Sequence, residues 1–298
     1  MTIIVPFSPG GSSDQGARLV ASKLSDGIGQ PVVVENRIGA NGQVAAAQVK
    51  SARPDGHTLL WASHGILAIN PSLYTRLTYD PLKDFEPVTL VFKSTHLLIV
   101  PVESHARNAT DLVALARQQP GRLSFASVGI GSGSHLAGEM FKFGNRLDVA
   151  HVPYKGSTNA LPDLVAGRVH YMFDGPGNAV ELIRGGKLRA LGVTDARRFA
   201  QLPDVPTMAE AGIPDNVINS WFGLVTTAGT PKPVVVRLHA EIAKAIGAPD
   251  IAQKIADFGG SASASRSPEE FSTFIASENA RLGRLIRATG VQADAGSP

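Results

Sequence analysis

Cysteine is absent from this 298-residue chain, which excludes disulfides, thiolate catalysis and Cys-ligated zinc or iron–sulfur centres. Charge of one sign is scarce too. Lys and Arg number 28 against 25 Asp and Glu, a formal +3, and the excess is too thin and scattered to argue for nucleic acid. Long apolar runs are missing: stretches such as Leu97–Val102 fall far below the roughly 20 residues of a membrane-spanning helix. No Gly-Lys-Ser/Thr completes a Walker loop. Gly129, Gly131 and Gly133 alternate but are followed by Ser134, which breaks the dinucleotide pattern. Ile130 stands two places before Ser132, so there is no nucleophile elbow. None of the eight His belongs to an H-E-x-x-H pair, and no tight His–carboxylate cluster is read from the sequence, so neither a metal nor any other cofactor is expected.

What is present is a globular chain with 43% hydrophobic residues, enough for one large domain or two ordinary ones. Gly 31 and Pro 20 suit a fold rich in strand-to-helix turns. Thr2–Pro6 already reads as a strand, with no charged region or apolar leader ahead of it. A cytosolic chain and a mature form with its export signal removed both fit that pattern.

Short apolar runs alternate with helical patterns. Ala17, Val20, Ala21, Leu24 and Ile28 lie on one helical face. Strands are predicted at Thr2–Pro6, Pro31–Glu35, Thr58–Ala62, Thr89–Phe92 and Leu97–Val102. A second set is predicted at Leu123–Ser127, Val149–Tyr154, Val169–Asp174 and Leu188–Thr194, then Phe222–Thr226. Helical patterns cover Val44–Ala52, Val234–Ile246, Ile251–Phe258 and Pro268–Ala288. Continuous apolar strands between helices predict parallel sheets covered on both faces. Weaker patterning at Pro101–Asn108 and Asn216–Ser220 predicts a chain that crosses near Pro101 and returns near Trp221. The expected lobes are 1–100 with 221–298, and 101–220, joined by hinge strands beside a cleft.

Two segments share one plan. Val5–Asp14 runs from a strand through Gly10 and Gly11 into a helix, with Ser12 and Gln15 spaced as a capping box. Ser124–His135 repeats it with Gly129, Gly131 and Ser132. Glycine tolerates positive φ and close backbone approach, and amides at a helix start suit an anion. An unliganded βα turn fits each segment alone equally well. His135 falls in the first helical turn, as a cap or surface group more readily than as a ligand contact. Val34–Gly42, Tyr154 with Lys155, and Asp174 also stand at strand ends, where α/β sheets bind ligands. Packing, a solvated charge and a helix cap are the plain alternatives for Tyr154, Lys155 and Asp174.

The segments IIVPFSPGGSSDQGAR, VVVENRIGANGQVAAAQV, ASVGIGSGSHLAGEMF, HVPYKGSTNALPDLVAGRV and LPDVPTMAEAGIP, in this order, resemble the Bug/TctC family, the extracytoplasmic solute receptors of tripartite tricarboxylate transporters. The resemblance runs from Ile3 to about Gly290. It implies an α/β, two-lobed periplasmic-binding-protein fold of type 2 (a Venus flytrap), each lobe a mostly parallel sheet flanked by helices. It also implies a non-enzymatic, periplasmic monomer that captures a small carboxylate for membrane subunits of a tripartite tricarboxylate transporter. Di- and tricarboxylates, amino acids and aromatic acids all stay open as ligands. By position, Phe7, Gly10, Gly11, Ser12, Asp14, Ser63 and His64 would line the first lobe. Ser127, Gly131, Ser132, Tyr154 and Asp174 would come from the second. Gly175, Pro176 and Gly177 follow Asp174, where many relatives carry Asn or another polar residue, a departure that reshapes the expected pocket. An enzyme on the same scaffold, transferase or lyase-like, is the competing reading, and it lacks an acid/base pair. A ligand-sensing regulator would need a DNA-binding module that this sequence does not show.

Overall fold

Every apolar run read as a strand forms one, with its ends displaced by a few residues. The computed structural model describes residues 1–10, 12–214, 216–257 and 259–290. The chain begins β1 (Thr2–Val5), α1 (Ser12–Ile28), β2 (Val33–Asn36), α2 (Gln43–Lys50), β3 (Thr58–Ser63), α3 (Asn70–Leu73) and β4 (Phe85–Ser94). It continues β5 (Leu97–Pro101), α4 (Ala109–Gln118), β6 (Ser124–Ser127), α5 (Gly133–Gly144), β7 (Ala150–Pro153) and α6 (Ser157–Val165). Next come β8 (Tyr171–Asp174), α7 (Pro176–Arg184), β9 (Leu188–Val193) and β10 (Ser220–Thr227). The last elements are α8 (Lys232–Ile246), α9 (Pro249–Asp257), β11 (Gly260–Ala262) and α10 (Pro268–Thr289).

Two units result: Met1–Lys93 with the residues from Trp221 onward, and Ser94–Ser220. The chain leaves the first unit at the end of β4, ahead of β5, and re-enters it at the start of β10. The first unit's sheet has the order β11-β4-β10-β3-β1-β2. Here β1 runs parallel to β2 and β3, setting Val5 beside Asn36 and Ile4 beside Leu60. The second unit's sheet has the order β7-β6-β8-β5-β9, with β6 parallel to both β7 and β8.

Among the described pairings, two strands run against the mostly parallel pattern. β10 is antiparallel to β3, and β5 is antiparallel to β8 and β9. A continuous apolar run reports burial on both faces and carries no direction. Both strands adjoin a passage of the chain between units, outside the strand–helix–strand repeats that enforce parallel pairing.

In the first unit Ile3, Val5, Leu59, Trp61 and Leu224 of the sheet pack with the Ala17–Leu24 stripe of α1 and with Leu238 and Ile242 of α8. The helical period of that stripe thus delivers one apolar face to the sheet. In the second unit Leu97, Ile99, Ala126 and Met172 pack with Leu161 and Leu164 of α6 and Ala179 of α7. Burying each large aliphatic side chain contributes roughly 1.5–3 kcal/mol. On the other face, α5 approaches β6 closely because Gly138 has no Cβ; one built there would lie 2.2 Å from the Phe125 ring.

Candidate functional site

In the first unit the parallel trio β1, β2 and β3 ends along one edge, which brings Phe7, Asn36, Ser63 and His64 to the same end of the sheet. The loop after β1 turns at Gly10, whose φ of +82° leaves open space where a Cβ would stand. Asp14, in the first turn of α1, is 2% exposed and organises this loop. Its Oδ2 accepts from the Gly10 amide (2.9 Å) and Arg18 Nε (2.9 Å), and its Oδ1 from Asn36 Nδ2 (2.8 Å). The Asn36 amide also donates to the Phe7 carbonyl at 2.9 Å. Burial pushes the Asp14 carboxyl up, but the bonds from Arg18, Asn36 and Gly10 outweigh it and hold it below the ordinary carboxylate range. Asp14 is thereby a fully engaged loop-shaping carboxylate. Arg18 and Asn36 complete it, and only their three-dimensional placement reveals the role.

Phe7 is half-buried and meets Phe222 edge-on at 5.9 Å. Ser63 and His64 are buried. Ser63 Oγ accepts the Ile66 amide at 3.4 Å, and His64 faces Trp221 at 6.3 Å between ring centres. Gly11 and the side chain of Ser12, both expected to line this loop, lie outside the described residues. The first-turn amides of α1, from Ser12 to Asp14, have no acceptor within the helix.

In the second unit β7, β6 and β8 also end along one edge, which gathers Ser127, Gly131, Ser132, Tyr154 and Asp174. Gly129 (φ +134°) and Gly131 (φ +79°) shape the turn after β6. Ser132 is the N-cap of α5: its Oγ accepts the His135 amide (3.1 Å) and donates to the Gly129 carbonyl (2.6 Å). The Ser132 amide donates to Gly129 O, and the Gly131 amide to His135 Nδ1 at 3.2 Å. An anion site using every amide from Gly131 to Ser134 is therefore narrowed to Gly133 and Ser134, which have no acceptor within the helix.

The Tyr154 hydroxyl donates to Asp163 at 2.8 Å, an acceptor that also pairs with Arg168. Asp174 is 2% exposed, its Oδ1 accepting from Ser157 Oγ at 2.6 Å. Its Oδ2 has no hydrogen-bond partner among the described residues. Burial pushes this carboxyl up to about 6, against the pull of Ser157 and the Gly175 amide.

The structure also corrects the reading that no His groups with a carboxylate. His135, Glu139 and His151 bring ligand-type atoms within 4.8 Å of one another. The two imidazoles stack at 4.2 Å, and His135 Nε2 lies 3.9 Å from Glu139 Oε1. His151 is sixteen positions from His135 in sequence and reaches it because β7 lies beside β6. His135 Nδ1 already serves a backbone amide, and stacked rings do not converge on one ion. The cluster as it stands does not fit a metal.

Two α/β units, each presenting a glycine-turned helix start at the carboxyl edge of its strands, make up a fold shared with solved periplasmic binding proteins, BugD among them, at a TM-score of 0.88 and 31% identity. The family described as the tripartite tricarboxylate transporter family receptor matches residues 16–291, and the chain belongs to it. A protein from the tcbD-tcbE intergenic region of Pseudomonas sp. strain P51 is 43% identical over 96% of this chain and 85% of its own length. Among solved structures, Rpa4515 of R. palustris with adipate superposes with a TM-score of 0.90 at 36% identity, over 97% of either chain. MatC of Rhodopseudomonas palustris with bound malate gives 0.88 at 33% identity, over 96% of this chain and 98% of that one. Among the described residues, no helix is long and apolar enough to cross a membrane.

Proposed function

We propose that this protein is a periplasmic, non-catalytic receptor that captures a small carboxylate for the membrane subunits of a tripartite tricarboxylate transporter. One observation carries the reading: each unit ends a strand in a glycine turn and opens a helix whose first amides have no acceptor of their own. The candidate side chains that carry formal charge, Asp14 and Asp174, are acidic, so an anion at these loops is met by amides and the helix dipole. Adipate and malate in the two similar structures belong to that chemical class. In this reading Phe7, Gly10–Ser13 and Ser63–His64 serve the first loop, with Asp14 holding its shape. Gly133, Ser134 and the Ser127–Ser132 turn serve the second, Tyr154 lies at the same edge, and Asp174 Oδ2 is the acceptor open to a donor group on the ligand. The two passages of the chain between units act as the hinge, and the radius of gyration falls on ligand addition.

A thermal-shift and calorimetric screen over C4–C6 dicarboxylates, hydroxy acids, amino acids and aromatic acids tests the proposal. A ligand at a hundredfold over its Kd adds about 2.7 kcal/mol of stability. Failure of every carboxylate to bind, or recovery of chemically altered ligand after incubation, overturns it.

A further inference from the structure

The His135–His151 stack sits beneath the turn assigned above to ligand recognition, and its hydrogen bonds go to both ends of that turn. At the far end the Gly131 N–H, which can only donate, meets His135 Nδ1 at 3.2 Å. At the near end Ser127 Oγ lies 2.7 Å from His151 Nε2 while accepting the Gly129 amide at 3.2 Å. Ser127 is fully buried; its hydroxyl carries one proton and two lone pairs, so beside the Gly129 amide it can bond His151 Nε2 in either tautomer of the ring. His135 thus accepts from the loop through Nδ1, and His151 bonds it through Nε2. Stacking fixes their planes: His135 on His151 at 4.2 Å, His151 on Phe125 at 4.7 Å, and Phe125 on Tyr171 at 5.6 Å. The charged and titratable groups around them are Glu139, Lys142 and Tyr171. Burial, with Lys142 nearby, pushes His135 down to about 3 and His151 to about 4, so both rings are neutral at pH 7.

We propose that His135 and His151 are positioning residues, a pair of imidazole latches that hold the Ser127–Ser132 turn so that the Gly133 and Ser134 amides are presented to the ligand. The effect on ligand rests on the carboxylate-receptor reading; the latch itself does not. Each latch is one neutral hydrogen bond, so its loss weakens binding and speeds amide exchange by about three- to tenfold.

The experiment measures amide hydrogen exchange at Gly129 and Gly131 in the ligand-free protein, and calorimetric affinity for adipate. The variants are His135→Leu and His135→Asn, then His151→Leu and His151→Gln. Asn places an oxygen where Nδ1 stood, and Gln where Nε2 stood. The latch predicts faster Gly131 exchange and weaker adipate binding in His135→Leu, with both restored in His135→Asn. His151→Leu and His151→Gln show the same contrast at Gly129. A packing role alone impairs Leu and Asn variants alike; that result, or unchanged Gly131 exchange in His135→Leu, overturns the proposal. A rise in melting temperature with Zn²⁺ that His135→Asn abolishes marks a metal site and also overturns it. Loss of Gly131 protection in His135→Leu, in a protein that binds no carboxylate, sustains the latch and removes the ligand reading instead.

Discussion

Replacing Asp174 with Asn removes a charge that the folded protein buries at a cost. The carboxyl is 2% exposed, with one oxygen served by Ser157 and the other unpartnered among the described residues. Its pKa rises from 3.8 to about 6. A raised carboxyl pKa means that the folded state holds its proton more tightly than the unfolded chain. The penalty is therefore absent below pH 3.8, grows between pH 3.8 and about 6, and is complete above. Its full size is about 3 kcal/mol. Asn keeps an oxygen for Ser157 but sets N–H groups where Oδ2 stands, and an unpaired buried donor costs about 1–3 kcal/mol. Asp174→Asn is thus expected to stabilise the second unit by up to about 2 kcal/mol at pH 8 and to give no gain at pH 4. Urea unfolding at the two pH values, followed by a probe in residues 94–220, reads the difference. A variant less stable than wild type at pH 8, or equally stabilised at both pH values, refutes the argument.

Ser132→Ala removes the α5 cap and is expected to cost about 1 kcal/mol, seen as a lower urea midpoint and faster exchange of the His135 amide. Asp14→Ala frees the Gly10 amide and Asn36 together, and calorimetry should show weaker carboxylate binding. The Asp14 carboxyl is held below its ordinary value, so its stabilisation is present above pH 3.8 and lost as pH falls through the folded value. An acid titration of unfolding should show a shallower fall in Asp14→Ala than in wild type. Gly138→Ala drives a methyl into the Phe125 ring and is expected to destabilise by about 1–3 kcal/mol, measured by thermal unfolding.

The strand and helix sequence was legible because Gly and Pro punctuate short apolar runs, and because Ala17, Val20, Ala21 and Leu24 repeat with the helical period. The loops at Gly10 and at Gly129–Ser132 were legible for the same reason: a strand, a glycine turn and a polar cap are local signals. Strand direction was not, since Leu97–Pro101 and Ser220–Thr227 look alike in either orientation. β11 has three residues with no apolar alternation and offered no signal. The partners that set the loops in place were hidden by distance along the chain. Asn36 reaches Asp14 across 22 positions, and His151 reaches Ser127 across 24. Parallel pairing with β1 and β6 delivers both, and only the fold supplies it.

The central claim, that backbone amides at two helix starts recognise the carboxylate, is tested most directly by amide NMR during an adipate or malate titration. The account predicts saturable downfield shifts at Ser13, Gly133 and Ser134 that follow the calorimetric isotherm. Binding seen in the calorimeter while these three amides stay unmoved would contradict it.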